Sequence, residues 1–182
     1  MTAKTYHVLV LCTGNSARSI MTEALFNTMG KGRFRAWSAG SRPTGKVNPF
    51  AIEQVQTLDY PLAELGSKSW DRFAHADAPR MDFIITVCDK AAGEVCPLWP
   101  GQPVTAHWGC ADPAAVAGSD DVKRRAFHET FRILMNRVRL FVDLPVALLD
   151  RVALKTELER IGRSGMDTDT ASVNDDTRRE YN

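Results

Sequence analysis

The chain predicts an α/β fold of three layers, with a central, mainly parallel four-stranded sheet between helices. Three observations predict it. Short apolar runs recur at residues 6–11, 34–38, 82–87 and 104–106, each too brief for a helix. Between them lie segments with apolar residues at helical spacing. The residues able to do chemistry (Cys12, Cys88 and the segment after Ala106) directly follow the predicted strands. Open parallel sheets keep their sites at those carboxyl ends.

Each element has a local reason. Residues 6–11 read as a buried strand. Residues 17–29 read as a helix because Ile20, Met21, Ala24, Leu25 and Thr28 cluster at helical spacing, and Gly30 and Gly32 end it. The second strand, 34–38, runs into a turn between Gly40 and Gly45. Asn48-Pro49 supplies an N-cap and a first-turn proline for a helix to about Leu58. Residues 82–87 and 104–106 are the third and fourth strands. Residues 119–142 hold a long helix whose stripe of Phe127, Phe131, Leu134, Met135, Val138 and Phe141 is core packing. Leu144-Pro145 breaks it. Residues 146–161 read as one more helix, with Leu148, Leu149, Val152, Leu158 and Ile161 as apolar points and Gly162 as the stop. Residues 164–182 carry few large apolar side chains and many charges, which reads as a disordered tail. The chain thus divides into a main domain (1–144), a C-terminal helical extension (145–163) and the tail (164–182).

Composition narrows the function classes. A length of 182 residues suits one domain with a sizeable core. The net charge of +1 gives no electrostatic case for nucleic acid. No apolar run approaches the ~18 residues of a membrane helix, and the run at 8–11 is too short for a signal peptide. These readings place the chain in the cytoplasm, where thiols stay reduced. There, four cysteines point to chemistry or metal rather than a disulfide framework.

The chemistry concentrates in Cys12-Thr13-Gly14-Asn15-Ser16-Ala17-Arg18-Ser19. A cysteine and an arginine bracket small and polar residues at a strand-to-helix junction. The first N–H groups of a helix lack intrahelical partners and attract an anion. Gly14 would take positive φ so that successive N–H groups converge. The planar fork of Arg18 fits two oxygens of a phosphate-like group. Ser19 would donate to the sulfur. A thiol beside a cation at a helix N-terminus falls to roughly 3.5–7.5, so Cys12 is expected as a thiolate. Cys12 is then the nucleophile and Thr13, Gly14, Asn15, Ser16, Ala17 and Arg18 the oxyanion cradle.

This run resembles the signature of the low-molecular-weight protein tyrosine phosphatases, and more closely that of arsenate reductases built on the same fold. The resemblance continues through Ser38-Ala39-Gly40, residues 87–97, and His107-Trp108-Gly109 followed by Asp112-Pro113, covering roughly residues 5–142. It implies the low-molecular-weight phosphatase-like fold. It also implies Asp112 as general acid, protonating the departing oxygen, a role worth ~10²–10⁴ in rate. Ala114-Ala115 replaces the aromatic pair that phosphotyrosine phosphatases of this family place here, which favours a small inorganic substrate.

A plain phosphatase needs neither Cys88 nor Cys96, eight residues apart; a reductase needs both, or one of them with an external thiol. The resemblance implies that Cys12 attacks arsenate and Cys88 then attacks Cys12, expelling arsenite. Cys96 would move the disulfide to Cys88–Cys96 for an external reductant. Eight residues of continuous helix span roughly 12 Å, against the ~7 Å a disulfide tolerates between Cα atoms, so this segment must loop or unwind. The Cys88-to-Cys96 spacing is one residue longer than in the best-known thioredoxin-coupled relatives. Thioredoxin, glutathione with glutaredoxin, and another small thiol therefore all stay open as reductants. Phosphate or sulfate would bind as arsenate analogues.

Cys110 fills space or replaces Cys96 as the resolving thiol. Cys88, Cys96, His107 and Cys110 also make a Cys₃His set, whose spacing fits structural zinc poorly. Some relatives gather a potassium ion near the positions of Asn15, Glu23 and Ser38; the carboxylate needed near Ser69 and Asp71 is not in register. Otherwise Asn15 braces the loop by hydrogen bonds. Arg42, Lys46 and Lys68 are candidates for the pocket rim, although charged loop residues are usually just solvated, and His107-Trp108 reads as a packed strand end. The alternative activity is a low-molecular-weight phosphatase acting on phosphotyrosine or small phosphoesters.

Overall fold

A computed structural model describes residues 4–165 of the chain. The helices and strands run β1 (Tyr6–Cys12), α1 (Arg18–Met29), β2 (Phe34–Gly40), α2 (Pro49–Gln56), β3 (Phe83–Thr86), α3 (Asp89–Gly93), β4 (Val104–His107), α4 (Asp120–Val142) and α5 (Arg151–Arg163). The strands form one all-parallel sheet in the order β2-β1-β3-β4. Cys12 lies opposite Gly40, Leu11 opposite Thr86, and Thr86 opposite His107. The strand ends are therefore level, and the loops carrying Cys12, Cys88 and Asp112 leave from one edge.

Side chains alternate across the sheet. Val8, Val10 and Cys12 face a layer that includes Met21, Leu25 and Phe26 of α1, Ala51 and Val55 of α2, Phe131, Leu134 and Phe141 of α4, and Leu158 and Ile161 of α5. Leu9, Leu11 and Ile84 face a second core with Trp70, Phe73 and Met81, against which Trp37, Cys96 and Trp99 pack. Cys88 belongs to the first layer and Cys96 to the second.

Local capping sets the helix starts. Asn48 Oδ1 accepts the Phe50 N–H at 2.9 Å, with Pro49 in the first turn. Ser119 caps α4, followed by Asp120 and Asp121 where the helix dipole favours acids. α2 ends two residues earlier than its apolar pattern suggests.

The C-terminal helix differs from the sequence expectation in three respects. It is split: a 3₁₀ turn at Val146–Leu148 precedes α5, which restarts where Asp150 Oδ1 accepts the Ala153 N–H at 2.8 Å. Leu148 and Val152, counted as apolar points, are exposed. Gly162 does not stop the helix. A Cβ there would sit 2.4 Å from the His107 carbonyl oxygen, so glycine is what lets α5 lie against the end of β4. Trp108 Nε1 donates to Leu158 O at 2.9 Å, and Leu158 and Ile161 are fully buried. The 145–163 segment is thus packed into the main core. Ser164 and Gly165 form a turn; the rest of the tail expectation lies outside the described residues. Among the described residues, no helix is long and apolar enough to cross a membrane.

Candidate active site

Cys12 ends β1 and α1 begins at Arg18, with Ala17 as an N-cap that has no side-chain acceptor. The first N–H groups of α1 are therefore not taken by a cap and are available to an anion. The loop between is tied down by its carbonyls. Thr13 O accepts the Arg42 N–H, Gly14 O the Thr44 N–H and the Ser67 hydroxyl, and Ser16 O the Asn48 N–H, all within 2.8–3.1 Å. In a planar trans peptide the following N–H points the opposite way. The N–H groups of Gly14, Asn15 and Ala17 are thereby turned inward, and that of Gly14 donates to the Cys12 sulfur.

The residue with positive φ is Asn15 (φ 44°), not Gly14. Asparagine tolerates this region because its amide can bond locally. Here Asn15 is fully buried. Its Oδ1 accepts the Lys68 N–H at 2.8 Å, and its Nδ2 donates to Ser19 Oγ and Ser38 Oγ at 2.9 Å each. Ser38 in turn donates to Glu23 Oε2. Ser19 Oγ is thus anchored in this buried network as an acceptor, which leaves its own proton available to donate. Gly40 is required behind it, since a Cβ would come within 2.4 Å of Thr13 O.

Lys68 was expected as a rim charge. Its ammonium lies 3.8 Å from Glu23 Oε2 and bonds Gly66 O at 2.9 Å, with the side chain only 15% exposed. Burial pushes the Glu23 carboxyl up and the Lys68 ammonium down, each partly offset by the other's charge.

The loop opens into a cavity of about 700 Å³ lined by Cys12, Arg18, Cys88, Cys110, Asp112 and the loop backbone. Arg18 Nη1 donates to Cys110 O at 2.8 Å and Nη2 lies 3.3 Å from Asp112 Oδ2. Asp112 also caps the turn at Pro113–Ala115, accepting the Ala114 N–H at 3.1 Å. Ala114 and Ala115 line the wall, and among the described residues no aromatic side chain does. Sequence reasoning missed Arg137. It is buried in α4 and donates to Trp108 O (2.8 Å), Gly109 O (3.1 Å) and Ser164 O (3.2 Å), fixing the loop that carries Asp112. An arginine between Leu134 and Val138 on the apolar stripe was its only signal.

The helix-terminal sulfur is that of Cys88, not Cys12. Cys88 caps α3, its Sγ accepting the Ala91 N–H and the Thr13 N–H at 3.4 Å each, with Thr13 Oγ1 at 3.6 Å. Cys12 and Cys88 line the same cavity, and their thiols titrate together. The neighbouring Cys12 thiol lowers Cys88 to about 5, whereas Cys88 and burial push Cys12 up despite Arg18. The expectation of a lone Cys12 thiolate is thus modified: the pair shares its ionisation, and the Ala91 and Thr13 N–H groups favour charge on the Cys88 side.

Cys110 lines the same cavity, its thiol raised to about 11 by burial. Cys96 does not line it. It borders a separate cavity of about 640 Å³ with Trp99, Asp89, His107 and Lys155, and burial and Glu94 raise its thiol. All four cysteines are free thiols. Among the described residues, no group of three or more His, Cys, Asp or Glu side chains is placed to hold a metal ion, so the Cys₃His set is not assembled. His107 instead bridges Thr86 Oγ1 (2.8 Å) and Asp89 Oδ1 (2.9 Å).

A parallel four-stranded sheet with this cysteine loop at its edge defines a phosphatase-like oxyanion fold, and the chain belongs to the low molecular weight phosphotyrosine protein phosphatase family, which it matches over residues 7–155. Within that family its similarity is to arsenate reductases. It is 32% identical over 136 residues to the arsenate reductase of Halalkalibacterium halodurans, covering 75% of this chain and 94% of that one. The crystal structure of the arsenate reductase from Archaeoglobus fulgidus superposes with a TM-score of 0.56 at 28% identity, over 75% of this chain and 99% of that one. An arsenate reductase in its phosphate-binding state gives 0.56 at 25% identity, over 74% and 97%.

Proposed function

We propose that this chain is an arsenate reductase that works through a cysteinyl-arsenate adduct and a dithiol relay. The observation that carries the reading is that Cys12 and Cys88 both line one oxyanion cavity with Arg18 and Asp112. The Gly14, Asn15 and Ala17 N–H groups, with Arg18, hold the oxygens of arsenate. Cys12 gives its proton to Cys88 and attacks arsenic. One oxygen leaves as water, protonated by Asp112. Cys88 then attacks the Cys12 sulfur. An S–S bond forms and the S–As bond breaks with its electron pair left on arsenic. As(V) becomes As(III), arsenite departs, and the dithiol is oxidised by two electrons. Ser19 acts by holding Asn15.

Regeneration needs a further thiol. Cys96 is the proposed one, attacking Cys88 after residues 89–95 rearrange, since it starts in the opposite layer. Cys110, already in the cavity, is the alternative. The external reductant is a dithiol protein of the thioredoxin type in the cytoplasm, with glutaredoxin as the competing donor. Val95 and Leu98, flanking Cys96, are each 96% exposed and offer an apolar contact to such a protein. Lys68 supplies the positive charge that a potassium ion near Asn15, Glu23 and Ser38 would supply elsewhere. Activity independent of potassium is the outcome that favours Lys68.

The test is to count thiols in denatured protein after arsenate treatment without reductant, and to measure arsenite in the same tube. Two thiols lost per arsenite support the relay, and peptide mapping names the pair. No thiol loss and no arsenite favour the second reading, a phosphatase for small phosphoesters, which the intact set of Cys12, Arg18 and Asp112 supports.

A further inference from the structure

Electron flow from Cys88 to arsenic leaves one proton to be placed. The proton that Cys12 hands over must leave Cys88 before Cys88 can attack. The groups hydrogen-bonded to the Cys88 sulfur are the Thr13 and Ala91 N–H donors and the Thr13 hydroxyl, with the Cys12 thiol in the same cavity. Once Cys12 is bonded to arsenic, only the hydroxyl can both accept and donate. On its far side Thr13 Oγ1 donates to Glu94 Oε1 at 3.4 Å. The other oxygen, Glu94 Oε2, is enclosed and has no hydrogen-bond partner among the described residues. A carboxylate oxygen so enclosed and unpaired is costly, and a proton is what would relieve it.

We infer that Glu94 receives the proton of the Cys88 thiol through the Thr13 hydroxyl, as a positioning residue in the dithiol step. The inference rests on the proposed relay. In the step, the Cys88 S–H bond breaks and Thr13 takes that proton. Thr13 passes its own proton to Glu94, and the Cys88 electron pair forms the bond to the Cys12 sulfur. The other charged groups around the sulfurs are Arg18 on α1, Asp89 and Lys90 on α3, and Asp112 after β4, and none of them hydrogen-bonds to Cys88. The same proton has a second effect. Ionised Glu94 helps hold the Cys96 thiol protonated. Neutralised, it lifts that restraint, so Cys96 becomes more nucleophilic only after Cys88 has been spent.

The test follows formation of the Cys12–Cys88 disulfide by rapid quench and peptide mapping, in a Cys96→Ser, Cys110→Ser background, with two oxidants. Arsenate reads the full reaction. Hydrogen peroxide oxidises one sulfur of the pair to a sulfenic acid, which the other attacks with loss of water; dimedone trapping names the oxidised sulfur. Where it is Cys12, Cys88 attacks and the proton step is read without arsenate chemistry, and where it is Cys88, Cys12 attacks and the rate should not respond to Glu94. Glu94→Gln is expected to slow the step about tenfold near pH ~6 and to approach the parent rate near pH ~9, where hydroxide takes the proton. Glu94→Asp should fall between. Thr13→Val with Glu94 intact should shift the pH profile in the same direction as Glu94→Gln. A Glu94→Gln rate unchanged, or lowered equally at every pH, overturns the inference. If peroxide gives the shifted profile while arsenate yields no arsenite, the reductase reading fails and the proton route stands.

Discussion

The loop 12–19 and the segment 88–99 carry successive steps of one reaction, yet they are held in place differently. In the loop, Asn15 and Ser19 are fully buried, the carbonyls of Thr13, Gly14 and Ser16 are all bonded, and a left-handed residue is locked by three side-chain hydrogen bonds. In 88–99, regular structure is a single helix of five residues, followed by a stretch with two nearly bare apolar side chains. Recognition of an oxyanion needs donors fixed before the ligand arrives. A travelling disulfide needs a chain that can change its path, and regions of few buried contacts are the ones that open cheaply. The fold spends its rigidity on the first task and withholds it from the second.

That contrast can be broken at its strongest point by comparing the two cysteines. Cys12→Ser should lower both arsenite release and aryl phosphate hydrolysis by about three orders of magnitude or more. Cys88→Ser should stop arsenite release while retaining aryl phosphate hydrolysis, as steady-state assays of both reactions will read. Next, Asn15→Ala removes three bonds to buried groups and leaves alanine in a left-handed conformation. A loss of about 2–4 kcal/mol in urea unfolding and weaker phosphate binding are expected.

The pH dependence sharpens the comparison. Below its first midpoint the pair is fully protonated and slow to alkylate; above it, Cys88 reacts. Iodoacetamide labelling of Cys88 should therefore rise through about pH 5. In Cys12→Ala the curve should move toward that of an ordinary thiol, because the bond from Cys12 is the largest cause of the lowering. The smallest effect belongs to the exposed stretch. Val95→Ser with Leu98→Ser should change stability by less than about 0.5 kcal/mol. It should slow recycling by a protein dithiol but leave recycling by dithiothreitol intact.

Much of this was legible in the chain. Strand positions, the capped starts of α2 and α4, and the gathering of Cys12, Cys88 and Asp112 at one edge follow from local patterns. What escaped has a common cause. Asn15 rather than Gly14 takes the left-handed position because its partners, Lys68 and Ser38, are distant in sequence. The low thiol belongs to Cys88 because N–H donors from two segments, those of Thr13 and Ala91, meet there beside Cys12. Lys68 read as a rim charge because nothing local announces a buried Glu23 beside it. Glu94 sits in an unremarkable stretch and gains meaning only from Thr13. Pairings between segments decide these points, and no single window of sequence contains them.

β4 is the last strand of the sheet, with its outer side unpaired to any other strand. Two basic side chains reach across that side from α5: Arg151 to the carbonyls of Gln102 and Pro103, and Lys155 to that of Thr105. The strand's free acceptors are thereby occupied by side chains that another strand cannot displace without leaving two cations unsolvated. Residues from 156 onward lie past the stretch shared with the family. A double variant, Arg151→Ala with Lys155→Ala, would present a bare sheet border, and its first symptom should be self-association rather than lost catalysis.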